Sequence, residues 1–200
     1  MFFLISFAWL VTASFAFVLA ILTPNWLSFT RSDGNITERG VFYICDSLPN
    51  YNDYKVTRCL SMIEQKSSTE PNKWIYEFAI ACASLAIACA GLSIIALWLS
   101  GIYFYVRRRT RQTFCFLWCI IFLILIIFCS SFVVWILLIS EAIKLGISID
   151  RRIFRWPMWL AIGATGSYLV SLITMIFSFC AINRRKNKIQ QNYYHPRNQF

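Results

Sequence analysis

The segment "GVFYICDSLPNYNDYKVTRC", Gly40–Cys59, decides how the rest of the chain is read. Val41, Tyr43 and Cys45 share one face under period-two alternation, and Phe42 and Ile44 share the other. "PNYND", Pro49–Asp53, is a turn cluster, and "YKVTRCLSMI" after it has the make-up of a second strand returning antiparallel. Thirteen residues separate Cys45 from Cys59, and a disulfide between them would pin such a hairpin. Taken alone, the segment looks like a small secreted module. Its flanks rule that out, because they are too apolar for a soluble protein.

Apolar residues make up 58% of the 200-residue chain and charged residues 14%. Four long windows carry almost no charge. A transmembrane helix needs about 20 such residues, and in lipid the backbone must satisfy its own hydrogen bonds. The windows therefore predict four membrane-spanning helices, over about 2–24, 77–105, 113–139 and 157–182. The fold expected is a left-handed four-helix transmembrane bundle, mainly α, with a small antiparallel β-sheet outside the membrane, built as a single domain. A cleaved signal peptide fits the first window less well. It has no basic segment before it and runs longer than the usual apolar stretch of about 7–15 residues.

Charge sets the expected orientation. The link "RRRTR", Arg107–Arg111, and the tail "NRRKNKIQQNYYHPRNQF" are basic without a single acid, and all nine acidic residues lie in the two other connections. Basic short loops stay cytoplasmic. Both termini, the loop 106–112 and the tail 183–200 are thus expected in the cytosol, with 25–76 and 140–156 outside. The net charge of +10 is then a topology signal rather than a nucleic-acid-binding face.

Asn35 opens the sequon "NIT" on the side assigned to the exterior, a candidate for N-glycosylation. Cys45 and Cys59 are the only cysteines outside the apolar windows. An oxidising exterior favours their pairing, worth about 3 kcal/mol in the chain-entropy model. The alternative is two free thiols. Metal binding is disfavoured, since the one histidine, His195, lies in the cytosolic tail. Cys82, Cys89, Cys115, Cys119, Cys129 and Cys180 read mostly as small packing residues. Cys115, Cys119 and Cys180 lie near cytosolic helix ends and are palmitoylation candidates.

Ile143, Leu145, Ile147 and Ile149 alternate strictly, which fits a further strand joining the sheet. Continuation of the third helix fits equally well. Trp26, Trp74, Tyr76, Trp156 and Trp159 fall at the outer ends of spans, where aromatic anchors set depth. Trp26 and Phe42 are equally suited to packing the sheet onto the helices. Ala79, Ala81, Ala83, Ala86, Ala88, Ala90 and Gly91 in the second window, with Gly163 and Ser167 in the fourth, predict close helix packing within the bundle. A lateral contact between neighbouring molecules is the lesser alternative.

The order of these features resembles the claudin and peripheral-myelin-protein superfamily. Members place a Trp after the first span, then Gly-Leu-Trp, two residues, a Cys and a second Cys. Here Trp26 stands in "TPNWLSF", "GVFYIC" supplies Gly40, Phe42 and Cys45, and Cys59 completes the set. Val41 and Phe42 replace Leu and Trp. The second window starts "NKWIYEF" without the Arg many claudins have there, and "RNQF" departs from their PDZ-binding ending. The long segment between the cysteines is more similar to the claudin-like proteins of invertebrate septate junctions.

The resemblance implies a plasma-membrane tetraspan at lateral cell–cell contacts. It would contribute to a septate- or tight-junction paracellular barrier through its disulfide-bonded first loop. Like or related proteins in the same and facing membranes are its implied partners, together with membrane lipid. Other branches of the superfamily imply an auxiliary subunit governing trafficking or gating of a channel or receptor. No convergent His, Asp, Glu or Cys set suggests an enzyme, no cofactor is expected, and uncharged spans disfavour a pump or carrier. The first loop mixes acids and bases, among them Glu64, Lys66, Glu70 and Lys73, so no ion selectivity is assigned.

Overall fold

In the computed structural model, the described residues are 2–30, 36–48, 56–61, 73–106, 114–144 and 153–194. The chain runs α1 (Phe2–Leu22), β1 (Leu27–Thr30), β2 (Ile36–Arg39), β3 (Tyr43–Leu48), β4 (Val56–Ser61), α2 (Lys73–Val106), α3 (Phe114–Lys144) and α4 (Trp156–Tyr194). All four helices are long and apolar enough to cross a membrane. Their outer surfaces are studded with large apolar side chains such as Phe15, Ile87, Trp98, Phe122 and Phe177, an arrangement suited to lipid rather than water.

The packing follows from which positions each helix buries. In α2 the main row is Ala79, Cys82, Ala86, Cys89, Ser93, Ala96, Ser100 and Tyr103, with Ala83 buried beside it. These recur three and four residues apart, the spacing of left-handed bundles. All but Tyr103 are small. The matching positions of α3 are mostly large: Leu117, Ile120, Ile124, Ile127, Val134 and Leu138. Small against large lets the two helices approach closely. The thiols of Cys82 and Cys89 lie 3.6 Å from the carbonyls of Val134 and Ile127 on α3. Both act as packing residues with a weak hydrogen bond.

α1 lies along α4, held by a reciprocal pair of serines. Ser6 Oγ donates to Ser171 O at 2.7 Å, Ser171 Oγ donates to Ser6 O at 2.9 Å, and the hydroxyls are 3.0 Å apart. Further along the same seam the rings of Phe17 and Tyr168 meet edge-on, 6.4 Å apart. At the end away from the sheet, Phe3 packs on Tyr103 at 4.9 Å and Trp118 on Phe179 at 4.9 Å. These contacts bring the start of α1 to the end of α2, and the start of α3 to the end of α4.

The four strands form one antiparallel meander, β1-β2-β3-β4. Two strands of the hairpin expected around Cys45 and Cys59 are present as β3 and β4, with Cys45 directly opposite Cys59. β1 and β2 were not anticipated. Val41 does not join the strand face with Tyr43 and Cys45. It lies in a bend before β3, fully buried, because the chain there turns under the sheet rather than along it. The turn cluster 49–53 lies outside the described residues.

Helix ends also differ from the sequence expectation. α2 already begins at Lys73. α3 runs on to Lys144, so Ile143 is helical and does not begin a strand. Leu145, Ile147 and Ile149 lie outside the described residues. A single bridge, Leu27 to Phe154, does attach the segment before α4 to the β1 edge. α4 continues through the basic stretch to Tyr194, just short of Pro196, whose preceding residue disfavours helix.

Candidate functional site

The sheet meets the helix bundle at a joint assembled from residues near Trp26, Gly40 and Glu141. It begins where α1 stops. Thr23 precedes Pro24, which the helix does not accommodate, and the amide of Thr23 closes the last turn on Ala20 O at 3.2 Å. The chain then bends so that Trp26 drops back over the helix end. Its indole Nε1 donates to the same Ala20 carbonyl at 2.6 Å, and the side chain is completely buried. The Trp26 backbone ties two further segments: its amide donates to Arg39 O at 2.9 Å, and its carbonyl accepts from the Arg155 amide at 3.1 Å. One residue thus joins α1, β2 and the entry to α4.

Gly40 completes the corner. A Cβ at this position would stand 2.7 Å from the Pro24 carbonyl carbon, 2.8 Å from its Cα, and against its oxygen. The neighbour is backbone, which cannot swing aside, so only glycine fits. The Gly40 amide donates to Tyr43 O at 2.8 Å and launches β3. Phe42 is half-buried against the apolar core. Trp26 and Phe42 therefore pack the sheet onto the helices, and interfacial anchoring is not the role of Trp26.

Beneath the sheet lies an ion pair that the sequence reading missed. Arg39 on β2 presents Nε to Glu141 Oε1 and Nη2 to Oε2, both at 3.2 Å, while Nη1 donates to Gly40 O at 2.7 Å. Both side chains are almost wholly buried, at 3% and 4% exposure. The sequence places Glu141 in a loop; it belongs to α3 instead. Its carboxylate holds the last turn of that helix against the sheet, next to the buried Ala142. Nearby, Lys144 lies over the Phe78 ring at 4.4 Å and fastens α3 to α2.

Cys45 and Cys59 form a disulfide that links the centres of β3 and β4. Cys45 is buried and Cys59 exposed. Trp26, Gly40 and Phe42 thus meet where the sheet joins the bundle, while Cys45 and Cys59 tie β3 to β4 further along the sheet. Asn35, Glu64, Lys66 and Glu70 lie outside the described residues. Lys73, Trp74 and Tyr76 are in the first turn of α2 with their side chains undescribed. Trp156 and Trp159 are exposed at the start of α4, as depth anchors would be.

Cys115, Cys119 and Cys180 are exposed at the end opposite the sheet, as is Cys129 further along α3. Trp118 and Phe179, in contact, set Cys119 and Cys180 beside the same aromatic pair. The small residues divide. Ala79, Ala83 and Ala86 are buried, but Ala81, Ala88 and Gly91 face outward, and a Cβ added at Gly91 or Gly163 would meet nothing within 4 Å. Gly163 therefore does not serve packing within the bundle, whereas Ser167 is half-buried and bonds back to Gly163 O at 2.9 Å. Helix periodicity turns Gly163 away from the buried row Ala161, Ala164 and Tyr168.

No family model matches the chain, and no curated protein matches it. The geometry therefore carries the functional argument. It offers a polar sheet fixed at three points to a helical bundle. Among the described residues there is no cluster of three His, Cys, Asp or Glu that could hold a metal.

Proposed function

We infer that the chain is a claudin-like tetraspan of the plasma membrane, with both termini in the cytosol and the sheet outside. It contributes to a paracellular barrier at septate- or tight-junction-like contacts, through association with like or related proteins in the same and facing membranes. The observation that carries this reading is the convergence of the motif residues. Trp26 and the Gly40–Phe42 stretch, separated in sequence by the first two strands, meet at the joint, and the Cys45–Cys59 disulfide braces β3 against β4 beyond it. A sheet held there by hydrogen bonds, a buried ion pair and a disulfide is a rigid platform, and rigidity limits the entropy lost on docking to a partner.

A second reading, an auxiliary subunit of a channel or receptor, draws on the open glycines of α2 and α4. Gly91, Gly163 and Gly166 are unused by the chain's own bundle, and small residues allow another helix to come close. Locating a tagged copy in an epithelium separates the two. A belt along lateral contacts is expected. Diffuse surface staining with co-purification of one channel would replace the junction reading with the second.

A further inference from the structure

α4 does not stop where its apolar window stops. From Trp156 to Arg184 it rises about 42 Å at ~1.5 Å per residue, close to the ~40–45 Å of a bilayer with its headgroups. Trp156 and Trp159 are exposed at one end of that length. The helix then continues from Arg184 to Tyr194 through "RRKNKIQQNYY". Residues 184, 185, 186 and 188 are all basic, and no acidic residue follows Asp150 in the chain. Helix periodicity sets 184, 185 and 188 along one side, with 184 and 188 one turn apart. Like charges at that spacing destabilise an isolated helix, and no acid of this segment offsets them.

Connectivity brings more positive charge to the same end. α2 ends at Val106 and α3 begins at Phe114, and the link between them contains Arg107, Arg108, Arg109 and Arg111. Contact between Trp118 and Phe179 keeps the start of α3 beside the end of α4. By sequence, both basic segments directly follow the ends of apolar helices, with no acid among them.

We propose that the helical extension Arg184–Lys188 is a binding site for anionic phospholipid headgroups of the cytosolic leaflet. The lipid phosphates and carboxylates supply the counter-charge that the sequence of this segment lacks, and basic segments next to a span attract such lipids. The proposal rests on the orientation inferred above, with the α4 end in the cytosol.

The test uses the full chain in vesicles of phosphatidylcholine doped with spin-labelled phosphatidylserine or spin-labelled phosphatidylcholine. The readout is the fraction of each label immobilised at the protein surface. Phosphatidylserine should be preferred about fivefold, and the preference should fall towards parity near 1 M salt, where the Debye length is about 3 Å. The combined variant Arg184→Gln, Arg185→Gln, Lys186→Gln and Lys188→Gln should lose it, whereas Arg184→Lys with Arg185→Lys should keep it. Equal immobilisation of the two labels by the unmodified protein overturns the proposal, as does a preference insensitive to salt or to the glutamine variant. Full displacement of the label by soluble inositol trisphosphate at equal concentration makes the occupant a free phosphate and also overturns it. Protease access to the tail in intact cells is read separately. A tail found outside would refute the orientation while leaving the vesicle result standing.

Discussion

Arg39 and Glu141 pose the sharpest energetic question. A buried pair is weak evidence of net stability, but removing one partner strands a charge and costs about 3–5 kcal/mol. Arg39→Ala or Glu141→Ala should therefore lower the midpoint of thermal unfolding in detergent strongly. The double change Arg39→Met with Glu141→Leu should recover most of that loss. Equal loss in single and double variants would mean the pair is not a closed unit. Gly40→Ala tests the adjacent corner. Its methyl group would meet the Pro24 backbone, so the sheet should detach or misfold, and the variant should be retained in the secretory pathway. Cys45→Ser should act similarly while leaving the four helices in place, and normal surface delivery of that variant would count against a structural disulfide. Part of this was legible beforehand: two cysteines set apart from the apolar windows suggest their pairing. The ion pair was not, because Arg39 and Glu141 lie about a hundred residues apart. Glu141 also sits at the edge of an apolar window, where a loop is the simpler reading.

At the scale of elements, the two helix seams make different predictions. The α1–α4 seam carries the Ser6–Ser171 pair. Hydrogen bonds between membrane helices average about 0.6 kcal/mol and reach about 1.7, so a cycle of Ser6→Ala and Ser171→Ala should give a coupling near the upper figure, since two bonds are shared. The α2–α3 seam depends on smallness. Ala86→Leu, at a position with no exposure, should destabilise by about 1–3 kcal/mol through overpacking, while Ala88→Leu on the outer face should be nearly neutral in the same unfolding assay. Equal effects would mean the burial row is misassigned. Existence of the helices was plain from hydropathy, and their ends were not. α3 passes its apolar window because Glu141, Ala142 and Lys144 find partners on the sheet and on α2. α4 passes its window because nothing before Pro196 breaks it. β1 and β2 escaped notice because "LSFT" and "ITER" are only four residues each and "ITER" lacks alternation; they are strands by virtue of pairing with each other and of β2 with β3.

For the molecule as a whole, the fold reads as a platform on a pillar. Four helices present apolar surfaces outward, and the sheet sits at the one end where α1 and α3 finish and α2 and α4 start. Its attachment runs through three points: Trp26 to α1, Arg39 to α3, and Arg155 at the entry to α4. A surface tied in this way holds its shape when a partner approaches, which is what contact between cells would require. The most direct test mixes cells that express a tagged copy with cells that do not. The account predicts enrichment along borders between two expressing cells, absence of enrichment at mixed borders, and loss of the enrichment in Arg39→Ala protein that still reaches the surface. Uniform staining at all borders, or enrichment at mixed borders equal to that between expressing cells, would contradict association of the sheet with its own kind across the cell boundary.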